Sequence, residues 1–453
     1  MRIIYFDIDC LRPDHLGCYG YDRPTSPAID SIAEKGIRFN NYHCASSPCL
    51  PSRTALVSGR FGIRNGVLSN HGAGVDFHVD LFRYGGPQPY NQMLPRHLHE
   101  NGIEPICFSN FADRHYALWF MCGWSEYHMV NLKCGAETAE QVNAKVLPWL
   151  RQNAKRDNYY LHINYWDTHR VYKMDPKWAD RFEDYPVTQE WPDQEAIDGH
   201  QDLTGAFTAH GQFRNDKSRV PLMPGAINDR ADFEKMMTAY DTSIAYVDHH
   251  IREVLDELDR QGVLDDAVII VSSDHGDAFG EHGVYSDHVN VDACIHNIPL
   301  IIRWPGRTPE NHSDDALMYN VDYAPTLCDM LGFDVPEDWD GKSYRANVEG
   351  KGGEDREYLV WDSGLYTVQR AVRTKTHLYI RTYDSWEYNN WQDEELYDMI
   401  SDRYETTNIA AEAPDILGAC RAIMDQWLIE QKQKPNWHGD TLDAVLEERK
   451  SQP

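Results

Sequence analysis

Val268-Ile269-Ile270-Val271-Ser272-Ser273-Asp274-His275-Gly276-Asp277-Ala278-Phe279-Gly280-Glu281-His282-Gly283 is the stretch whose reading decides the fold. It opens with an uninterrupted apolar run of strand length, rich in β-branched residues, as expected of a strand buried on both faces. Strands of that kind belong to parallel sheets covered by helices. The run then breaks at Asp274-His275 into a glycine-rich loop. In open α/β sheets ligands bind outside the carboxyl ends of the strands, and a carboxylate beside an imidazole there is a natural metal half-site.

The same alternation extends outward. Candidate strands are Ile3–Ile8, Glu104–Phe108, Tyr159–Tyr165, Ala267–Ser272 and Pro299–Arg303. Candidate helices are Ser26–Lys35, Gln92–Glu100, Ala139–Asn153, Asp232–Gln261 and Asp322–Leu331. The fourth helix carries Met236, Tyr240, Ile244, Val247, Ile251, Val254 and Leu258 at three-and-four spacing, so one face packs on the sheet. The pattern predicts an α/β fold over 1–350, a large mixed, mostly parallel sheet sandwiched by helices. Within it, the Pro-, Asp- and Trp-rich stretch 172–230 reads as a long irregular substrate loop. From about Glu354 the short strands Tyr358–Trp361, Ala371–Arg373 and Leu378–Arg381, then a helix near Ile416–Gln431, predict a smaller C-terminal antiparallel-sheet subdomain over 351–453. The polar tail Lys432–Pro453 is expected to be loose or to embrace a partner.

The 453 residues carry 43 Lys and Arg against 72 Asp and Glu, a formal charge of −29. That charge argues against nucleic acid and anionic membrane as partners. No apolar run is long enough to span a membrane, and Met1-Arg2-Ile3-Ile4-Tyr5-Phe6 reads as a first strand rather than a signal segment. The expected location is cytoplasmic. Ten scattered cysteines without a CxxC pair read as reduced thiols, with neither a disulfide framework nor a structural zinc site.

Three further segments carry chemistry. In the first strand Asp7 and Asp9 share one face; Asp9 ends the strand, and Asp7 reads as a strand residue with a polar partner. Leu161-His162-Ile163-Asn164-Tyr165-Trp166-Asp167-Thr168-His169 is another buried strand ending in a polar cluster. In Cys49-Leu50-Pro51-Ser52-Arg53, Pro51 suits the first turn of a helix that Gly59 can end. Cys49 would then lie beside unpaired N–H groups and Arg53, a setting that favours a thiolate or something made from one.

Together these motifs resemble the type I, formylglycine-dependent sulfatase family of the alkaline phosphatase superfamily. The resemblance rests on Cys49–Arg53, on Asp9-Cys10-Leu11-Arg12-Pro13-Asp14-His15-Leu16-Gly17, on the Asp274–Gly283 block and on Glu395-Leu396-Tyr397-Asp398. Tyr240–Ala245 and Arg303–Gly306 fit the intervening segments, so it runs from Arg2 to about Asn408. It implies metal-dependent hydrolysis of a sulfate ester, of a sulfated sugar or an aryl or alkyl alcohol, to alcohol and inorganic sulfate. The nucleophile would be formylglycine made from Cys49 by a maturation enzyme. One divalent metal (Ca²⁺ or Mn²⁺, less readily Mg²⁺ or Zn²⁺) would be held by Asp9, Asp274, His275 and the gem-diol of residue 49. Arg53 would steady the nucleophile, and His169 or His288 would protonate the leaving alcohol.

Two departures stand out. Cys10 replaces a second aspartate, and a thiol is a poor ligand for hard cations. The lysines that such sulfatases use on the sulfate are missing, with Asp287 in one expected place. Arg114, His115 and His288 are the nearby replacements, with His71 behind them. Two other readings are a phosphonate monoester or phosphodiester hydrolase with the same nucleophile, and a binding protein without catalysis. Trp178, Trp191 or Phe213 could stack on a sugar or aryl ring. The acidic exterior favours a small sulfated molecule or oligosaccharide, and a homo-oligomer is compatible with the sequence.

Overall fold

Arg2–Ile8 (β1) is the middle of the main sheet because both of its faces are apolar. Ile4, Phe6 and Ile8 enter one core while Ile3 and Tyr5 enter the other. The computed structural model describes all residues except 79–92, 132–134, 173–175, 179, 206–207, 211–222, 387, 436 and 452–453. Further strands used below are Ile37–Phe39 (β2), Ser46–Ser47 (β3), Glu104–Phe108 (β4), Glu126–His128 (β5), Tyr159–Tyr165 (β6), Ala267–Ser272 (β7), Leu300–Arg303 (β8) and His312–Asp314 (β9). The main sheet has eight of the described strands in the order β9-β2-β8-β7-β1-β6-β4-β5. From β7 to β5 all pairings are parallel, and β8 runs antiparallel to both of its neighbours.

Helices cover both faces. Pro27–Ala33 (α1), Ala139–Asn153 and Arg230–Arg260 share the core with Ile4 and Phe6. Leu94–Glu100 and Tyr323–Leu331 close the other core against Tyr5 and Ile270. The long helix starts where the Asp229 side chain accepts from Asp232 N, and every apolar position foreseen for its inner face is buried. Each such side chain contributes about 1.5–3 kcal/mol through burial.

The C-terminal sheet is built on Tyr358–Ser363 (β10), Val368–Thr374 (β11), His377–Asp384 (β12) and Glu394–Asp398 (β13), all antiparallel. Its last member is β3, which pairs in parallel with β10. A two-residue strand from early in the chain therefore anchors the residues just before Cys49 to the C-terminal sheet. Pro414–Gln433 packs Leu417, Cys420, Met424 and Trp427 on that sheet.

The tail differs from expectation. Thr441–Ser451 is a helix, and Leu442 and Val445 pack with Leu68 and Val368 while Glu448 accepts from Ala73 N at 2.7 Å. The tail embraces its own chain. Its apolar stripe is two or three residues long, too short to register as a pattern in a charged sequence. Among the described residues, no helix is long and apolar enough to cross a membrane, and nine cysteines are free.

Candidate active site

Four neighbouring parallel strands deliver their carboxyl ends to one place. Asp274-His275 follow β7, Asp9-Cys10 follow β1, Thr168-His169 follow β6, and Arg114-His115 lie beyond β4. Cys49 is the first residue of the helix Cys49–Ser58 (α2), whose side chains are all buried and which Gly59 ends at φ +63°. The first turn of α2 is fastened to the β7 loop: Ser52 Oγ donates to Asp274 O at 2.6 Å, and Asn320 Nδ2 donates to Ser52 O at 3.0 Å.

Cys49 Sγ lies 3.2 Å from His275 Nε2, which is 3.3 Å from Asp274 Oδ2. Donor atoms of Asp9, Cys49, Asp274 and His275 all lie within 4.8 Å of one another, and all four residues are buried. With His275 Nδ1 donating to Gly276 O at 2.8 Å, Nε2 presents its lone pair to this group. The donor set, two carboxylates and an imidazole converging on residue 49, fits a divalent cation.

Arg53 sits behind the donors. It donates through Nη1 to Asp9 Oδ2 at 2.9 Å and Asp274 Oδ2 at 2.5 Å, and it grips Asp7 through Nε at 2.7 Å and Nη2 at 2.9 Å. With residue 49 a cysteine, the Arg53 guanidinium spends its bonds on carboxylates, because a buried carboxylate is a far stronger acceptor than a thiol. Asp7 has its polar partners in Arg53 and His162, the latter at 3.1 Å. Burial alone would raise Asp9, but Arg53, with His169 and His275, holds it well below the usual carboxylate range. Asp274 goes the other way, raised by burial and by Asp9 and Asp7 despite Arg53. One guanidinium thus serves three carboxylates and leaves a negative surplus for a cation.

The Cys49 thiol is pushed well up by burial first and then by Asp9 and Asp274. For the unmodified cysteine, the helix terminus and Arg53 are outweighed by desolvation and two nearby carboxylates, while the other half of the expectation, a group made from the thiol, is a matter for the proposed function. Cys10 takes φ +55°, a left-handed turn costly for a side chain other than glycine. Asp274 Oδ1 accepts from Cys10 N at 3.1 Å, and Tyr240 donates its hydroxyl to Cys10 O at 2.8 Å, so the turn is held from both sides.

The outer rim is cationic. Arg114 Nη2 donates to His169 Nε2 at 3.2 Å, and His169 Nδ1 donates to Arg170 O at 2.6 Å. Burial and then Arg114 among its neighbours hold His169 down, although Asp9 opposes them. His288 faces His169 at 5.6 Å between rings and meets Asp277 Oδ1 at 2.7 Å through Nδ1. Burial raises Asp277 to about 7 and lowers His288 to about 3. His115, against Phe111, is lowered to about 3 by burial, Arg114 and Arg53.

Sequence reasoning missed three contributors. Arg170 forms an ion pair with Asp287, which brings a cation to the position where the aspartate had replaced a lysine. The Trp166 ring meets Arg53 and Arg114, each guanidinium 5.1 Å from it. The Tyr240 hydroxyl was masked by a helix pattern that showed only the ring. His71 is exposed beside the C-terminal helix. Trp178 packs on Tyr246 and His249, and Trp191 stacks on Tyr404, so both rings serve the packing of the loop. Phe213 lies outside the described residues.

The arrangement can be set beside known proteins. The Sulfatase family model matches residues 2–333, and the model for the C-terminal part of N-sulphoglucosamine sulphohydrolase matches 280–433. An N-acetylglucosamine-6-O-sulfatase of Bacteroides thetaiotaomicron is 24% identical over 98% of this chain and 88% of its own length. A solved structure described as in complex with its substrate D-glucosamine-2-N,6-O-disulfate superposes with a TM-score of 0.76 at 20% identity, covering 96% of this chain and 99% of that one. A phosphonate monoester hydrolase of Agrobacterium radiobacter gives 0.71 at 18% identity, covering 95% of each chain. This chain belongs to the sulfatase family of the alkaline phosphatase superfamily and is a sulfuric ester hydrolase.

Proposed function

We propose that the protein hydrolyses a sulfate ester of a sugar to the alcohol and inorganic sulfate, with residue 49 as nucleophile after a maturation enzyme converts its cysteine to formylglycine. The observation that carries this reading is the buried convergence of Asp9, Asp274 and His275 on Cys49, with the Arg114–His169 pair half-buried beside it. Names of relatives such as the N-acetylglucosamine-6-O-sulfatase support a sugar as the alcohol.

Asp9, Asp274 and His275 would hold one divalent cation, Ca²⁺ or Mn²⁺, and the imidazole nitrogen moves the set toward Mn²⁺. Such an ion would polarise the sulfate oxygens and lower the pKa of the nucleophilic hydroxyl. Arg53 keeps Asp9 ionised and holds Asp7 and Asp274 in register. Arg114 presents a guanidinium for a sulfate oxygen in place of the family lysine. When the sulfate takes that guanidinium, His169 Nε2 loses its hydrogen-bond donor. The approaching anion then favours the imidazolium, which can give its proton to the leaving alcohol.

A phosphonate monoester or phosphodiester hydrolase is the second reading, favoured by Cys10 in place of a second aspartate and by the His275 donor. One experiment separates the two. The mass of the Cys49 peptide reports loss of sulfur in favour of a carbonyl oxygen, and the matured protein is then assayed on matched aryl sulfate, phosphonate and diester substrates. Dominant sulfate release from the aryl ester and from glucosamine sulfates is expected. Dominant phosphonate or diester turnover would replace the sulfatase reading with the second.

A further inference from the structure

A second group of metal-type donors lies apart from the nucleophile. His282 stands in the turn after Gly280, Asp292 precedes the short helix Ala293–His296, and Glu405 follows β13 in the C-terminal sheet region. Donor atoms of the three lie within 4.8 Å of one another. Asp292 and Glu405 are 0% and 4% exposed, and the His282 side chain is 5% exposed.

Hydrogen bonding defines the imidazole. Tyr397 donates its hydroxyl to Glu395 Oε1 at 3.0 Å, so at its 2.8 Å contact with His282 Nε2 it accepts. Nε2 therefore carries a hydrogen, and in the neutral ring the Nδ1 lone pair points at Asp292 Oδ2, 3.0 Å away. A lone pair facing a carboxylate oxygen needs a proton or a metal cation between them, and although burial opposes it, Asp292 and then Tyr397 and Glu395 favour the protonated ring. A proton on Nδ1 would satisfy that contact alone. It would leave Asp292 Oδ1 and Glu405 Oε2, both buried, without a hydrogen-bond partner.

Neighbouring groups do not close the gap. Asn290 Nδ2 donates to Asp292 Oδ2 at 2.8 Å, and Ala293 N donates to Glu405 Oε1 at 2.8 Å, which leaves the other oxygen of each carboxylate open. Arg12 is engaged by Asp14 and Glu281, and Arg373 gives Nη1 to the carbonyls of Thr374 and His377. Among the described residues, neither Asp292, Glu395 nor Glu405 is ion-paired to a lysine or arginine. The Glu395–Tyr397–His282 relay is the kind of outer hydrogen bonding that stands behind a ligating histidine.

We propose that His282 Nδ1, Asp292 and Glu405 form a second, structural divalent-cation site that ties the C-terminal sheet region to the loop leading to His288. One nitrogen and two carboxylates suit Mn²⁺ or Zn²⁺ better than Ca²⁺ or Mg²⁺. The ion would hold together segments more than 100 residues apart in sequence, beside the Asn390 Nδ2 to His282 O bond at 2.8 Å.

The test counts metal and needs no turnover, so it is independent of the sulfatase reading. Protein loaded with Mn²⁺ or Zn²⁺ and desalted is analysed for bound metal, and its melting temperature is measured before and after chelation. Two equivalents are expected in the wild type and one in Asp274→Asn, whose melting temperature falls on chelation and returns with the ion. Adding Glu405→Gln to Asp274→Asn should abolish both the remaining equivalent and the melting shift. His282→Gln gives the same readout should Glu405→Gln not accumulate. A single wild-type equivalent that Asp274→Asn removes would overturn the proposal and leave the catalytic site as the metal centre. Retention of the ion by the His282 and Glu405 variants would overturn it equally.

Discussion

Cys49 Sγ and His275 Nε2 lie 3.2 Å apart, although 225 residues separate Cys49 from His275 in the sequence. The thiol is buried, and burial, then Asp9 and Asp274, push its pKa well up. Cys49→Ala should reduce sulfate release by the metal-loaded protein to background and cost about 1 kcal/mol of stability. Sulfate release at the wild-type rate would exclude nucleophilic catalysis at this residue.

Arg53 is the sole guanidinium bonded to Asp7, Asp9 and Asp274 among the described residues, and all four side chains are buried. Removing one partner of a buried ion pair typically costs about 3–5 kcal/mol. Arg53→Ala should therefore lose at least that much in urea denaturation. Arg53→Lys should lose less, keeping the charge without the fork that grips Asp7. A loss under about 1 kcal/mol in Arg53→Ala would contradict this role.

Arg114 and His169 separate by kinetic signature. Arg114→Ala should raise KM for the sulfate ester about 10-fold to 100-fold, the loss of a charged hydrogen bond, with Arg114→Lys in between. His169→Gln should lower kcat about 100-fold with little change in KM, and should flatten the limb of the pH–rate profile that reports the acid. An unchanged profile would assign the proton to another group, with His288 next.

Acid stability should depend on His43 and His296, which stack on Trp361 at 5.2 Å and 4.9 Å. Burial lowers each from 6.5 to about 3, so both stay neutral in the fold while the unfolded chain takes up protons. Between pH 6.5 and about 3 the unfolded state binds more protons. Their contribution is therefore complete above pH 6.5 and falls with pH at up to about 1.4 kcal/mol per unit for each histidine. Melting curves across that range should show a shallower acid loss in His296→Gln than in the wild type. Parallel curves would refute the assignment.

A chain with a formal charge of −29 repels long polyanions. Sulfate release should be faster from sulfated mono- or disaccharides than from intact heparin-like polymer, and added salt should narrow the gap. The opposite order would point to a basic path that the net charge conceals.

Much of the site was legible because its residues stand at strand ends. Asp9 and Asp274-His275 each close an apolar run whose parallel, doubly covered character is written in its composition. Adjacent strands lie about 4.8 Å apart, so neighbouring parallel strands bring such termini within reach of one cation. Cys49 was legible for a similar local reason, since Pro51 and Gly59 bracket its helix. The sequence by itself determined the five long strands, the covering helices and the residues that close them; the short strands Ile37–Phe39, Glu126–His128 and His312–Asp314 and the tail helix Thr441–Ser451 carry too few apolar residues to register as a pattern.

Only the tertiary structure decided what those residues face. Arg53 turns from the nucleophile to three carboxylates, Tyr240 pins the Cys10 turn with its hydroxyl, and Arg170 meets Asp287 from another loop. His282 joins Asp292 and Glu405 only because the C-terminal sheet region packs against the catalytic loop. Hydrogen bonds and desolvation depend on distances between chain segments that periodicity does not encode. Cys49 is the clearest case: its local helix favours an anion, whereas burial and then Asp9 and Asp274 push the thiol pKa up.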